Sequence, residues 1–422
     1  MRKDTICVQG AYKPKNGEPR VIPIVQSTTF KYDSSQEMGD LFDLKKSGYF
    51  YSRLQNPTCD LAAAKIAMLE GGVAGMLTSS GQAANFYAVF NIASAGDHVV
   101  SSAAIYGGTF NLFNVTMRKL GIDFTFVPPT ANEEEIQAAI QPNTKCIFGE
   151  TISNPSLDIM DIETFAKVAH KNGIPLIIDN TFATPINCRP FEFGCDIVTH
   201  STTKYMEGHA STIGGAIVDS GKFDWEQNDK FPGLTTPDES YHGLTYTKDF
   251  GKAAYITKAT AQLMRDLGSI PAANNAWLVN LGLETLHLRM PRHCENAKKV
   301  AEYLKNNEKI TWVKCAMLED DPQHEIAMKY MPNGTCGVVS FGIKGGREAA
   351  TVFMDSLKLA AIVTHVADAR TCCLHPASTT HRQLTDKELE ECGVTPDLLR
   401  FSCGIEDADD IIEDIQQALD KI

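Results

Sequence analysis

The chain has 422 residues, 43% of them hydrophobic and 22% charged, which is enough for two or three domains around a substantial core. Its formal charge of -13 argues against a nucleic-acid surface, which normally needs a basic face, and against attraction to anionic membranes. Any anionic ligand must therefore be held by a local set of donors.

Residues 1–9 carry charge with no apolar run behind them, unlike a secretory leader. No uninterrupted apolar stretch reaches the ~18–20 residues of a bilayer span. Residues 1–55 read as an irregular N-terminal arm, broken by Pro14, Pro19 and Pro23, of the kind that contacts a neighbouring subunit. From Pro57 the texture changes, and an Ala-rich helix over 61–69 closes at Gly71-Gly72. Strands are predicted over 75–78, 98–101, 124–127, 146–149, 175–178 and 196–199, with helices over 83–92, 109–120, 133–140 and 162–171 between them. That alternation predicts an α/β fold with a mostly parallel sheet covered on both faces. Residues 219–250, rich in Asp, Lys, Pro and Gly, read as a long ordered loop. Helices resume near Lys252, and a mixed C-terminal part follows, with a helix over 297–304, a strand over 337–341 and a last helix over 408–419. The expected division is an arm over 1–55, a cofactor-binding domain over 56–265 and a C-terminal domain over 266–422.

Four stretches carry chemistry. In Ile197-Val-Thr-His-Ser-Thr-Thr-Lys204 a strand runs into three hydroxyl residues and then a lysine. There Ser201 and Thr203 can donate to a phosphate, while a desolvated Lys204 can capture an aldehyde. By itself the string also suits a surface lysine after a turn. Ile174-Pro-Leu-Ile-Ile-Asp179 delivers a carboxylate to the end of a central strand, where it can pair with a protonated pyridine nitrogen or simply cap a turn. Thr78-Ser-Ser-Gly81-Gln82 opens a helix directly after a strand, and the N–H groups of Gly81 and Gln82 suit a phosphate. Tyr106 follows another strand end, where its ring can stack on a flat heterocycle and its hydroxyl can assist proton transfer, or pack as an ordinary loop tyrosine.

Other chemistries find less support. The glycines 71, 72 and 75 precede their strand, so the dinucleotide order of an oxidoreductase is missing. His200 and His209 are spaced too widely for one helix face, and His365, His375 and His381 lack supporting carboxylates, so no metal is expected. Twelve scattered cysteines without a Cys-x-x-Cys read as reduced thiols in a cytoplasmic protein.

Together these stretches resemble the Cys/Met-metabolism family of pyridoxal-phosphate (PLP) enzymes. The likeness runs from Gln26-Ser-Thr-Thr-Phe30 through Tyr51-Ser-Arg53 and Asn56-Pro-Thr58 to Arg400-Phe-Ser-Cys-Gly-Ile-Glu406. It implies the aspartate-aminotransferase-like architecture (fold type I), with a large mostly parallel sheet domain, a smaller α+β C-terminal domain and a homotetramer of paired dimers. By that likeness Lys204 carries the cofactor, Asp179 faces the pyridine nitrogen and Tyr106 stacks on the ring. Gly81, Gln82, Ser201 and Thr203 hold the phosphate, while Tyr51 and Arg53 reach the phosphate of the neighbouring subunit. Arg400, Asn154 and Thr371 serve the substrate carboxylate; Thr371 stands where serine is frequent in the family, and Cys403 where valine or leucine is. The 231–243 stretch and His375-Pro-Ala-Ser-Thr-Thr-His381 resemble the O-acetylhomoserine sulfhydrylase branch, whose reaction would convert O-acetylhomoserine and sulfide, or a small thiol, to homocysteine or methionine plus acetate. Methionine γ-lyase and cystathionine γ-synthase are the alternatives within the family. Gly108, where methionine γ-lyases typically carry cysteine, weighs against the first of these. A cofactor-binding interaction protein without catalysis is the alternative outside enzymology.

Overall fold

Strands that are buried on both faces need apolar runs, and the chain supplies them in succession. A computed structural model describes residues 1–379, 382 and 394–422. Seven strands form the larger sheet: β1 (Ala74–Thr78), β2 (His98–Ser102), β3 (Asp123–Val127), β4 (Thr144–Glu150), β5 (Leu176–Asp179), β6 (Ile197–His200) and β7 (Gly215–Asp219). Their spatial order is β1-β7-β6-β5-β4-β2-β3. Neighbours from β6 to β3 are parallel, whereas β7 runs antiparallel to both β6 and β1. Two reversals leave β1 pointing the same way as β6, so the C-terminal ends of β1, β2, β4, β5 and β6 share one edge. Every residue of β2, β5, β6 and β7 is buried.

Helices cover both faces, and their ends follow local rules. The helix over Pro57–Glu70 starts with Pro57 at its first position, the Asn56 side chain accepting from Thr58 N at 3.0 Å. It stops at Gly71, whose φ of 83° suits a residue without Cβ. Gly81–Phe90 follows β1, and Ser80 caps it by accepting from Ala83 N at 3.1 Å. The arm is less irregular than its prolines imply, because helices form on either side of them, over Lys3–Gln9 and Ser35–Phe42. The predicted helix over 109–120 is an α-turn, a π-turn and a 3-10 turn in series. β7 was not anticipated, and the segment after it is more than loop: it holds short helical turns at Pro232–Thr235, Glu239–Tyr241 and Tyr246–Phe250. Trp225 pins that segment, packing edge-on against Phe231 at 5.0 Å and stacking on Tyr255 at 5.4 Å.

One helix, Ala273–Lys305, runs far beyond the expected 297–304 and links the two layers. It packs on Lys3–Gln9 and Pro57–Glu70 and also on the second sheet. That sheet has the order β10-β11-β12-β9-β8, built from β8 (Ile310–Lys314), β9 (Val338–Ile343), β10 (Ala361–Ile362), β11 (Cys372–Leu374) and β12 (Leu398–Ser402). The final helix, Ala408–Leu419, matches its expected span. These are the large α/β layer and the smaller α+β layer that the family likeness implied. Among the described residues no helix is long and apolar enough to cross a membrane.

Candidate active site

The shared edge of strand ends borders a cavity of about 370 Å³, within the usual range of about 300–1,000 Å³ for small-molecule sites. Gly81, Gln82, Tyr106, Asn154, Asp179, Ser201, Thr203, Lys204 and Arg400 all line it. They come from both sheets, for Arg400 lies in the middle of β12 while the others follow strands of the larger sheet.

Lys204 sits one turn past β6. Burial, and then the Arg400 guanidinium, lower its amine to about 8, so a useful fraction is neutral and nucleophilic near neutral pH. Asp179 ends β5 with both oxygens engaged. Oδ1 accepts from the Thr181 backbone N–H at 3.0 Å and from the Thr181 hydroxyl, and Oδ2 accepts from Asn85 Nδ2 at 3.1 Å. Asn85 is held in turn by the Thr199 hydroxyl, which donates to its Oδ1 at 2.6 Å. Thr109 donates to Gln82 Oε1 at 2.9 Å, and Gln82 Nε2 donates to the Gly108 carbonyl at 2.9 Å. A polar chain thus locks the carboxylate to the start of the Gly81–Phe90 helix.

At that start a side chain is excluded, since a Cβ on Gly81 would lie 2.7 Å from Ser201 Cβ. Two free helix N–H groups can therefore approach the Ser201 turn closely enough to share one anion. Thr203 contributes differently from expectation: its hydroxyl donates to the Gly214 carbonyl at 3.1 Å and accepts from Gly214 N at 3.1 Å, tying the turn to β7. Tyr106 is 50% exposed and its ring lies over Gly108, where a Cβ would approach the ring to 2.5 Å. Glu150, buried at the end of β4, accepts from Tyr106 N at 2.7 Å, and burial followed by Asp179 raises its carboxyl well above the usual range.

Arg400 is only 5% exposed, yet no carboxylate pairs with it among the described residues. Nη1 donates to Asn154 Oδ1 at 3.2 Å and Nη2 to the Thr364 and His365 carbonyls at 3.2 Å, while Nε is buried without a partner. A buried guanidinium without a counter-charge is costly unless an anion completes it.

Three sequence-predicted residues lie elsewhere. Thr371 is a correction: it is buried just before β11, donating to Glu406 Oε2 at 2.8 Å and accepting from Gly404 N at 2.9 Å, so its hydroxyl ties chain segments together and does not face the cavity. Tyr51 and Arg53 stack at 5.3 Å and line a separate cavity with residues of the arm and 270–273. Thr380 and His381 of the 375–381 motif lie outside the described residues. Asn85, Thr109, Thr181, Glu150 and His365 were missed, for nothing local in the sequence marks them. The described cysteines are all buried and unpaired. Cys372, near the cavity, is raised to about 11 by burial.

An aldehyde-capturing amine, a fixed carboxylate, a stacking ring and an anion cradle fit pyridoxal phosphate, and a second cation suits the carboxylate of an amino acid. Comparison with known proteins agrees. Residues 4–420 match the family described as Cys/Met metabolism PLP-dependent enzyme. The chain is 47% identical to the O-acetyl-L-homoserine sulfhydrylase of Corynebacterium glutamicum, over 94% of its own length and 92% of that protein's. It is 46% identical to the homocysteine synthase of Schizosaccharomyces pombe, with 95% and 94% covered. Among solved structures it resembles one from Campylobacter jejuni, described as an O-acetylhomoserine (thiol)-lyase bearing N'-pyridoxyl-lysine-5'-monophosphate, at 37% identity, a TM-score of 0.96 and full coverage of both chains.

Proposed function

The chain belongs to the Cys/Met metabolism family of PLP-dependent enzymes, and we propose that it exchanges the acetyl ester of O-acetyl-L-homoserine for sulfide, or a small thiol, releasing acetate and L-homocysteine, or methionine. The observation that carries this reading is the pairing of Lys204 with a buried Arg400, which no carboxylate of the described residues pairs with, across one cavity that also holds Asp179. Bound there, pyridoxal phosphate supplies an aldehyde for the substrate amine and a protonated ring that withdraws electrons from the adjoining carbon.

The chain's own residues do the rest. Asp179, fixed by Thr181 and Asn85, keeps the ring nitrogen protonated. The N–H groups of Gly81 and Gln82, with the Ser201 and Thr203 turn, hold the phosphate, and Tyr106 covers the ring face. Arg400 and Asn154 hold the substrate carboxylate, which orients the Cα–H bond toward Lys204. As a neutral amine, Lys204 removes the Cα proton and then a Cβ proton, with Tyr106 assisting. Acetate then leaves Cγ with its bonding pair, sulfide forms the new C–S bond there, and Lys204 returns protons to Cβ and Cα.

Tyr51 and Arg53 belong to the same proposal: exposed on the arm and remote from their own chain's cavity, they serve the phosphate of a neighbouring subunit in a tetramer of paired dimers. The unpaired thiols suit a reducing, cytoplasmic setting. Product analysis tests the reaction. O-acetylhomoserine with sulfide should yield homocysteine and acetate faster than methionine alone yields methanethiol, and faster than activated homoserine with cysteine yields cystathionine. Faster turnover in either of the latter arms would replace this reading with a γ-lyase or a cystathionine synthase.

A further inference from the structure

His365 lines the cavity but has no part in the steps above. Its segment is pinned from several directions. Besides the Arg400 contacts, Cys372 Sγ donates to the His365 carbonyl at 3.4 Å, Ala367 N donates to Ser402 Oγ at 2.9 Å, and Ala369 N donates to the Gly208 carbonyl at 2.9 Å. Ala367 takes a φ of 67°, which an alanine adopts only when its surroundings impose it. So held, the imidazole points Nδ1 at Lys204 Nζ, 3.4 Å away, while Nε2 makes no hydrogen bond and lies 3.4 Å from Asp368 Oδ2, within reach of its charge. Asp368 is itself fixed, its Oδ1 accepting from Arg370 N at 2.7 Å. The charge of that carboxylate favours a proton on Nε2, which leaves the Nδ1 lone pair facing the amine.

Replacement at Cγ asks one amine to act twice, first at Cα and then at Cβ. An ammonium cannot take the second proton until it has shed the first. We propose that His365 and Asp368 form a proton relay with Lys204. The Lys204 N–H bond breaks, the proton moves to Nδ1, Asp368 steadies the imidazolium, and Lys204 is neutral again for Cβ. The proton returns by the same path when the carbons are reprotonated. The charged groups that act on the imidazole are Lys204, Asp368, Glu207 and Arg400, with the Cys372 thiol on the His365 carbonyl. Burial, and then Lys204, hold the imidazole below its ordinary range, so it begins neutral and able to accept. The transfer from an amine near 8 is therefore uphill and the imidazolium short-lived. In this scheme His365 is a positioning residue that acts through Lys204.

The relay rests on the reaction proposed above, so its test separates the two. Holoenzyme is placed in deuterated water with L-norvaline, which has no leaving group at Cγ, and proton exchange at Cα and Cβ is followed by NMR. His365→Phe should keep Cα exchange within about threefold while Cβ exchange falls roughly tenfold or more, with Asp368→Asn between the two. Equal losses at both carbons, or no loss at either, would overturn the relay. A second readout uses the cofactor-free chain: the pH midpoint for acetylation of Lys204 by acetic anhydride, read by mass spectrometry, should move in His365→Phe, and an unmoved midpoint would also overturn it. Wild-type holoenzyme that exchanges no Cα proton at all would instead sink the reaction on which the relay depends.

Discussion

Arg400→Lys probes the substrate half of the site with little change of charge. The guanidinium spends Nη1 on Asn154 and Nη2 on two backbone carbonyls, and its Nε has no partner among the described residues. A substrate carboxylate forked onto it would make two charge-assisted bonds, each of about 1.5–3 kcal/mol. Lysine keeps the cation but offers one point contact, and it strands the Thr364 carbonyl. We expect a net loss of about 2–4 kcal/mol, or roughly 30- to 1,000-fold in kcat/KM for O-acetylhomoserine, most of it in KM. Steady-state kinetics at saturating sulfide measure it, with cofactor absorbance confirming that the variant still loads. A change under about threefold, with the cofactor bound, would refute the assignment of Arg400 to the carboxylate.

Asn85→Ala removes the donor on Asp179 Oδ2 and should weaken cofactor retention by about 1.5–3 kcal/mol, or about 10- to 150-fold, in equilibrium dialysis; unchanged retention would make Asn85 mere packing. Thr371→Val breaks the ties to Glu406 and Gly404, so Tm should fall while KM stays put. A raised KM at unchanged Tm would return Thr371 to the substrate site. Because only the neutral amine attacks an aldehyde, cofactor loading onto the empty chain should speed up with pH and level off near the Lys204 value of about 8. A plateau reached only in the ordinary lysine range would show that burial and Arg400 do not tune this amine.

How far the sequence reveals all this depends on how local each signal is. Strands β4, β5 and β6 are legible because strands covered on both faces read as apolar runs. Asp179, Gly81 and Lys204 are legible because each stands at the end of its strand or within one turn of it. β7 is not, since an antiparallel strand inserted between β1 and β6 breaks the alternation on which the reading relied. Asn85 reaches Asp179 across 94 positions, and His365 reaches Lys204 across 161, so no local pattern could join them. Arg400 was visible only through family likeness. Thr371 was misjudged because the turn before β11 brings Glu406 to its hydroxyl, while residues 364–366 form the cavity wall instead.

The central claim is that one half-buried amine holds the cofactor. Borohydride reduction of the native protein followed by peptide mass mapping tests it most directly. The yellow absorbance should bleach and a single pyridoxyl label should be recovered on Lys204. A label on another lysine, or none after full reduction, would contradict the account.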